Sequence, residues 1–174
     1  MTRRRVRTFR LTGPGSRTNR AAWRAVSRLI PANGDVDEFV AAVSEERSRR
    51  IAVLGCALPG EGPSGLWVQT SDVDYILHAD TVTAEHRETV ICHEVAHMVL
   101  GHEAREGLVD TTAFAPSVSP SVAARFLTRE GYPDKIESDA EALGTLLAAE
   151  LVARATTDLR VAAQAQDNVS ARLR

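Results

Sequence analysis

Hydrophobic and polar positions along the chain fall into segments of two periods. Asn19 to about Ile30 reads as a short helix with Ala22, Trp23, Val26 and Ile30 as its apolar stripe, and Pro31-Ala32-Asn33-Gly34 breaks it. A second helix is predicted over about Val36 to Arg50. Asp35 stands at its cap, Phe39, Val40 and Val43 form its inner face, and Arg47, Arg49 and Arg50 suit its C-terminus. Three short β segments follow: Ile51 to Leu54, Leu66 to Thr70 after the Gly- and Pro-rich loop 59–65, and Asp74 to His78. Residues 83–100 return to a helical period through Val90, Ile91, Val95, Met98 and Val99, with Thr83 as N-cap, Glu85 in the first turn and Gly101 at the far end.

Residues 103–118 lack a period and read as a loop long enough to overhang a cleft. Ser119-Pro120 then opens a helix to about Glu130, which Gly131-Tyr132-Pro133 ends. Asp134 caps a long helix through about Arg154, carrying Leu143, Leu146, Leu147 and Leu151. Residues 156–174 form an Ala- and Gln-rich tail, helical or frayed. The domain plan is a flexible Arg-rich arm over 1–18, one folded domain over 19–155, and that tail. The fold class expected is α+β, with a small three-stranded antiparallel sheet packed on the 83–100 helix and further helices.

Composition adds a charge asymmetry. Residues 1–50 hold twelve Arg against five acids, and the remainder nine basic against eighteen acidic residues, for a net charge of −2. The arm, with Arg3, Arg4, Arg5, Arg7 and Arg10, fits either a nucleic-acid contact or a solvated tail. No helix-turn-helix pattern backs the charge, so nucleic acid is not expected as a direct ligand. No apolar run approaches 18 residues, so no membrane span is expected, and no secretory signal is read. Cys56 and Cys92 are too few for a disulfide scaffold and read as structural, reduced thiols of a cytoplasmic protein.

The chemistry lies in the 83–100 helix. His93-Glu94-Val95-Ala96-His97 is an HExxH sequence. Residues four apart share a helix face, so His93 and His97 present two imidazoles to one tetrahedral zinc. Glu94, about 100° round, can act on a water molecule there without being a ligand. For this composition about 0.01 chance matches are expected. The alternative is a surface helix carrying two solvated histidines.

A catalytic zinc needs a third protein ligand. The downstream His of HExxHxxGxxH is out of frame, because Leu100 and Glu103 stand where Gly and His would be needed. His102, just past the helix end, reads as a cap or edge residue. Glu137 is the better candidate. On a helix with Glu137 at 0°, Glu141, Gly144, Ala148 and Leu151 all fall within about 40°, a face of small residues suited to close approach by another helix, while Asp139 falls near 200°. A cation could satisfy Glu137, and the ring N–H of a ligating His could satisfy Glu141. Glu137 also fits the third position of a capping box with Asp134, and the two roles are compatible.

With these residues placed, the chain resembles the ImmA/IrrE-type metallopeptidases, small zinc-dependent proteins of the gluzincin group. The resemblance rests on Gly65-Leu66-Trp67, Tyr75-Ile76-Leu77, His93-Glu94-x-x-His97 running into Leu100-Gly101-His102, and Glu137-x-x-Ala140-Glu141 ending in Leu146-Leu147, over roughly residues 35–155. It departs in having Glu141 where such proteins usually carry Asp, and Leu143 where an aromatic is usual. The resemblance implies a minigluzincin-like fold, one Zn2+ per chain held by His93, His97 and Glu137, Glu94 as general base, and Glu141 as partner of a ligating histidine. It also implies a cytoplasmic endopeptidase whose substrate is a protein or peptide, typically a helix-turn-helix repressor encoded beside it. Some members have been called toxin components. Tyr132 and His86 are candidates for an oxyanion or substrate contact, and a substrate backbone could add to a sheet edge such as Leu66 to Thr70. Two rival readings stand beside this one: a zinc-containing regulator that binds a repressor or DNA without cleavage, and a generic zinc endopeptidase with no dedicated partner.

Overall fold

A computed structural model of the chain describes residues 16–58, 64–102, 105–108, 123–126 and 134–172. The elements are α1 (Ser16–Val26) with a 3-10 turn (Ser27–Leu29), α2 (Val36–Arg47), β1 (Arg50–Cys56), β2 (Gly65–Gln69), β3 (Val73–Ala79), α3 (Ala84–Leu100), β4 (Arg105–Leu108), β5 (Ala123–Phe126) and α4 (Asp134–Arg172). The class is mixed α+β, as expected. Of the predicted arm, residues 1–15 lie outside the described residues, and 16–18 begin α1.

Three of the caps read from the sequence are present, while α2 ends earlier than expected, at Arg47, on a left-handed Ser48. Asp35 Oδ1 accepts from the Glu38 amide at 2.8 Å, and Thr83 Oγ1 accepts from the His86 amide at 3.3 Å. Gly101 closes α3 in the left-handed conformation at φ 70°. Gly34 also sits at φ 70°, and a Cβ there would come within 2.2 Å of the Leu151 carbonyl oxygen. The break after the first helix can therefore lie directly against α4.

The sheet differs from the expected antiparallel one. Its centre is a mixed sheet in the order β1-β3-β2, continued on the β2 side by the short strands β5 and β4. β2 and β3 form an antiparallel hairpin, but β1 runs parallel to β3, pairing Arg50 with Val73 through Cys56 with Ala79. After β1 the chain lays down β2 first. A tight turn, in which the Thr70 hydroxyl donates to the Val73 carbonyl at 2.8 Å, then folds β3 back between them. A local pattern can signal that hairpin but not the strand inserted beside it.

A second correction concerns residues 119–130. The helix predicted there is replaced, over Ala123–Phe126, by strand β5, which pairs with β2 at Val68 and Gln69 and with all of β4. Ala-Ala-Arg-Phe has ordinary helix propensity, and the backbone partners offered by two strands override it. The predicted loop 103–118 contains β4, and its other residues, apart from those of β4, lie outside the described ones. The predicted end of the long helix near Arg154 is also passed: α4 continues through Arg172, taking in most of the predicted tail.

Side chains alternate across the sheet. One face sends Ile51, Val53, Trp67 and Ile76 into the main core with Phe39, Val43, Ile91, Val95, Met98, Val99, Leu143, Leu147 and Leu151. The other face carries a smaller cluster of Cys56, Val68 and Leu77 with Leu54, Leu66 and Tyr75. α3 is central. From Val90 to Leu100 it is buried at every position except His93, as a helix covered on all sides must be.

A cluster of charged groups lies deep in this core. Asp74, fully buried on the helix-facing side of β3, receives Arg47 at 2.9 Å and Arg49 at 2.7 Å. Arg47 also donates to the Met98 carbonyl at 3.0 Å. The α2 terminus, β3 and the last turn of α3 are thereby tied at one point. The sequence pattern assigned these arginines only to a helix terminus.

Candidate metal centre

α3 and α4 cross where both carry chemistry. A Cβ on Gly144 of α4 would lie 3.0 Å from His93 Cα and 3.1 Å from His93 N. Any side chain there would be tight against the His93 backbone and would press the two helices apart. The crossing sets Glu137 and Glu141, seven and three residues before Gly144, beside the HExxH turn. This is the face of small residues that the helical wheel identified.

Three side chains converge there. His93 Nε2 and His97 Nε2 are 3.0 Å apart. Glu137 Oε2 is 3.6 Å from His93 Nε2, and its Oε1 is 3.6 Å from His97 Nε2. Donor atoms of these three residues all lie within 4.8 Å of one another. Ligands at roughly 2.0–2.1 Å around a tetrahedral zinc are separated by about 3.3–3.4 Å, so the spacing fits such an ion. The donor chemistry fits as well: two imidazoles and one carboxylate form a set used by catalytic zinc. His93, His97 and Glu137 could therefore hold a metal ion.

Burial, followed by the neighbouring His93 and His102, pushes the His97 imidazole down to about 3. It is therefore neutral at ordinary pH, the form that ligates. Glu141 Oε2 lies 3.4 Å from His93 Nδ1, the ring nitrogen turned away from the cluster. That is where the sequence reading placed it. Asp139 faces elsewhere, taking Lys135 at 2.7 Å and Asn19 at 3.4 Å.

No protein-family model, curated protein or solved structure matches the chain. What can be said of the site therefore rests on its own geometry.

Glu94 is buried on the side of α3 that faces β2: a Cβ on Gly65 would lie 3.2 Å from Glu94 Oε1 and 2.2 Å from Val90 Cγ1. Gly65 thus does for the strand what Gly144 does for α4. The candidate site lies on the stretch of α3 between these two glycine approaches, with the imidazoles toward α4 and the carboxylate of Glu94 toward the sheet.

The remaining candidates fare differently. His86 is exposed on the first turn of α3 and is not part of the donor cluster. Seven residues of helix separate it from His93, about 10 Å along the axis. Tyr132 lies outside the described residues. The edge Leu66 to Thr70 is occupied in part, since β5 already pairs with Val68 and Gln69. Among the described residues, Gly65, Leu66 and Trp67 keep their backbone free on that side.

Sequence reasoning missed His102. It is no mere cap, for its Nδ1 lies 2.9 Å from His97 Nδ1. The signal was its position one residue beyond the predicted Gly101 stop, where a left-handed residue turns the chain back against the last helical turn.

Proposed function

We propose that this chain is a zinc-dependent endopeptidase of the ImmA/IrrE type, a hydrolase of peptide bonds in the cytoplasm that cleaves a partner helix-turn-helix repressor. One observation carries the reading: two HExxH imidazoles and the Glu137 carboxylate meet at the spacing of a tetrahedral ion, with Glu94 one residue away on the flank facing β2. The order of the sequence motifs supports the family and, through it, the substrate class and a minigluzincin-like fold. Among the described residues no helix is long and apolar enough to cross a membrane.

His93, His97 and Glu137 would hold the ion. When bound, zinc supplies a Lewis acid that polarises the scissile carbonyl and lowers the pKa of a water toward about 7. The protein's own groups do the rest. Glu94 takes the proton of the attacking water and delivers it to the leaving nitrogen. Glu141 steadies His93 through Nδ1. Among the described residues, the backbone of Gly65 to Trp67 has no strand partner on the β5 side and would offer a substrate strand an edge beside Glu94.

The test is Glu94→Gln. This variant is expected to keep the wild-type melting temperature and one zinc per chain while losing cleavage of a helix-turn-helix repressor that the wild type cleaves. Full cleavage by Glu94→Gln would refute the assigned base. Stoichiometric repressor binding without cleavage, unchanged in the variant, would support a non-catalytic regulator in its place.

A further inference from the structure

A histidine that ligates a metal through one ring nitrogen leaves the other to be fixed by its surroundings. The two HExxH histidines differ in this respect. His93 turns Nδ1 toward the Glu141 carboxylate, which is 64% exposed. His97, almost wholly buried, turns Nδ1 toward a second imidazole, His102 Nδ1 at 2.9 Å. The two rings meet edge to face, with centroids 5.0 Å apart at 67°. The backbone holds them together: the chain reverses at Gly101, and the His102 amide donates to the His97 carbonyl at 3.1 Å.

The proton assignment follows from the geometry. A metal on His97 Nε2 requires the lone pair there, so the single proton of neutral His97 sits on Nδ1. Two Nδ1 atoms 2.9 Å apart need one donor and one acceptor, so His102 accepts and carries its own proton on Nε2. His102 is not a fourth ligand. It meets the nitrogen of His97 that faces away from Glu137, and it lies outside the donor cluster.

We propose that His102 is a positioning residue of the metal centre, whose imidazole fixes the tautomer and ring plane of His97. The inference rests on reading His93, His97 and Glu137 as that centre. Such partners are commonly carboxylates, carbonyls or waters. Here the acceptor is an imidazole, half-buried where Glu141 is exposed, and its 2.9 Å approach is closer than the 3.4 Å of Glu141 to His93.

The experiment uses the full chain, with zinc affinity measured by chelator competition and the visible spectrum recorded with Co2+ in place of zinc. His102→Leu is expected to weaken zinc binding by about 10- to 100-fold and to shift the Co2+ bands. His102→Asn, whose Oδ1 can accept in place of Nδ1, is expected to recover most of both. Thermal unfolding of the metal-free variants shows that the loss is not one of folding, and His102→Phe, which keeps a planar ring without an acceptor, replaces His102→Leu if the latter is unfolded at the assay temperature. Wild-type affinity and spectrum in His102→Leu would overturn the inference, as would His102→Asn binding as weakly as His102→Leu. A wild-type chain that binds neither ion, or binds as well after His93→Ala, would remove the centre itself and the inference with it.

Discussion

Replacing Asp74 by Ala removes one carboxylate from between two arginines. In the native protein its Oδ2 accepts from Arg47 Nη2 at 2.9 Å, and its Oδ1 accepts from Arg49 Nε at 2.7 Å and from Gln69 Nε2 at 3.3 Å. The side chains of all three charged residues are at least nine-tenths buried. Arg49 keeps the carbonyls of Ser71 and Thr70 after the change, so part of its charge remains solvated by the backbone. Arg47 keeps only the Met98 carbonyl, and among the described residues its Nε has no partner even in the native state. Breaking a buried pair by deleting one member costs roughly 3–5 kcal/mol, and one stranded guanidinium places Asp74→Ala within that range. For a chain of this length about 2–4 °C accompanies each kcal/mol, so the melting temperature should fall by roughly 6–20 °C. Urea unfolding followed by circular dichroism, with calorimetry beside it, measures the loss. Arg47→Met leaves Asp74 paired with Arg49 and should cost less, about 1–3 kcal/mol. The double variant should be more stable than the sum of the single losses implies, by about 0.5–3 kcal/mol. A loss below about 1 kcal/mol in Asp74→Ala, at unchanged m-value, would show that this pair does not anchor α2 and α3 to the sheet.

Three further outcomes are expected. Glu137→Ala should reduce bound zinc, measured by elemental analysis after dialysis, to the background of His93→Ala, because two imidazoles alone do not complete the site. Gly144→Val should weaken zinc binding at least tenfold and destabilise the fold by about 1–3 kcal/mol, since the atoms it meets are the backbone of His93 and only separation of the helices relieves the overlap. Burial, aided by the Glu88 charge, pushes the Cys92 thiol up to about 12. The unfolded thiol ionises near pH 9 and the folded one does not, so the unfolded state binds fewer protons above that pH. Stability should therefore fall between about pH 9 and pH 12, by up to about 1.4 kcal/mol per pH unit relative to Cys92→Ala.

What the chain announces by itself is whatever depends on residues within about four positions of one another. Asp35, Thr83 and Gly101 were legible as caps because a cap is a bond between a side chain or turn and the next three amides. His93 and His97 were legible as a pair because one helical turn separates them. Even Glu137, some forty residues later, could be nominated, because the small residues sharing its face imply a close helix contact that Gly144 then makes. Tertiary structure alone decided the rest. β1 lies parallel to β3 because β2 is laid down first, and nothing within β1 records that order. Ala123–Phe126 became a strand because Val68 and Gln69 offered it hydrogen-bond partners from more than fifty residues away. Arg47 and Arg49 looked like helix-end charges until Asp74 arrived from the sheet. His102 met His97 only once Gly101 had turned the chain back. Local bonds can be read from neighbours, whereas pairings between distant segments depend on which surfaces the folded chain brings together, and a linear pattern does not contain that geometry.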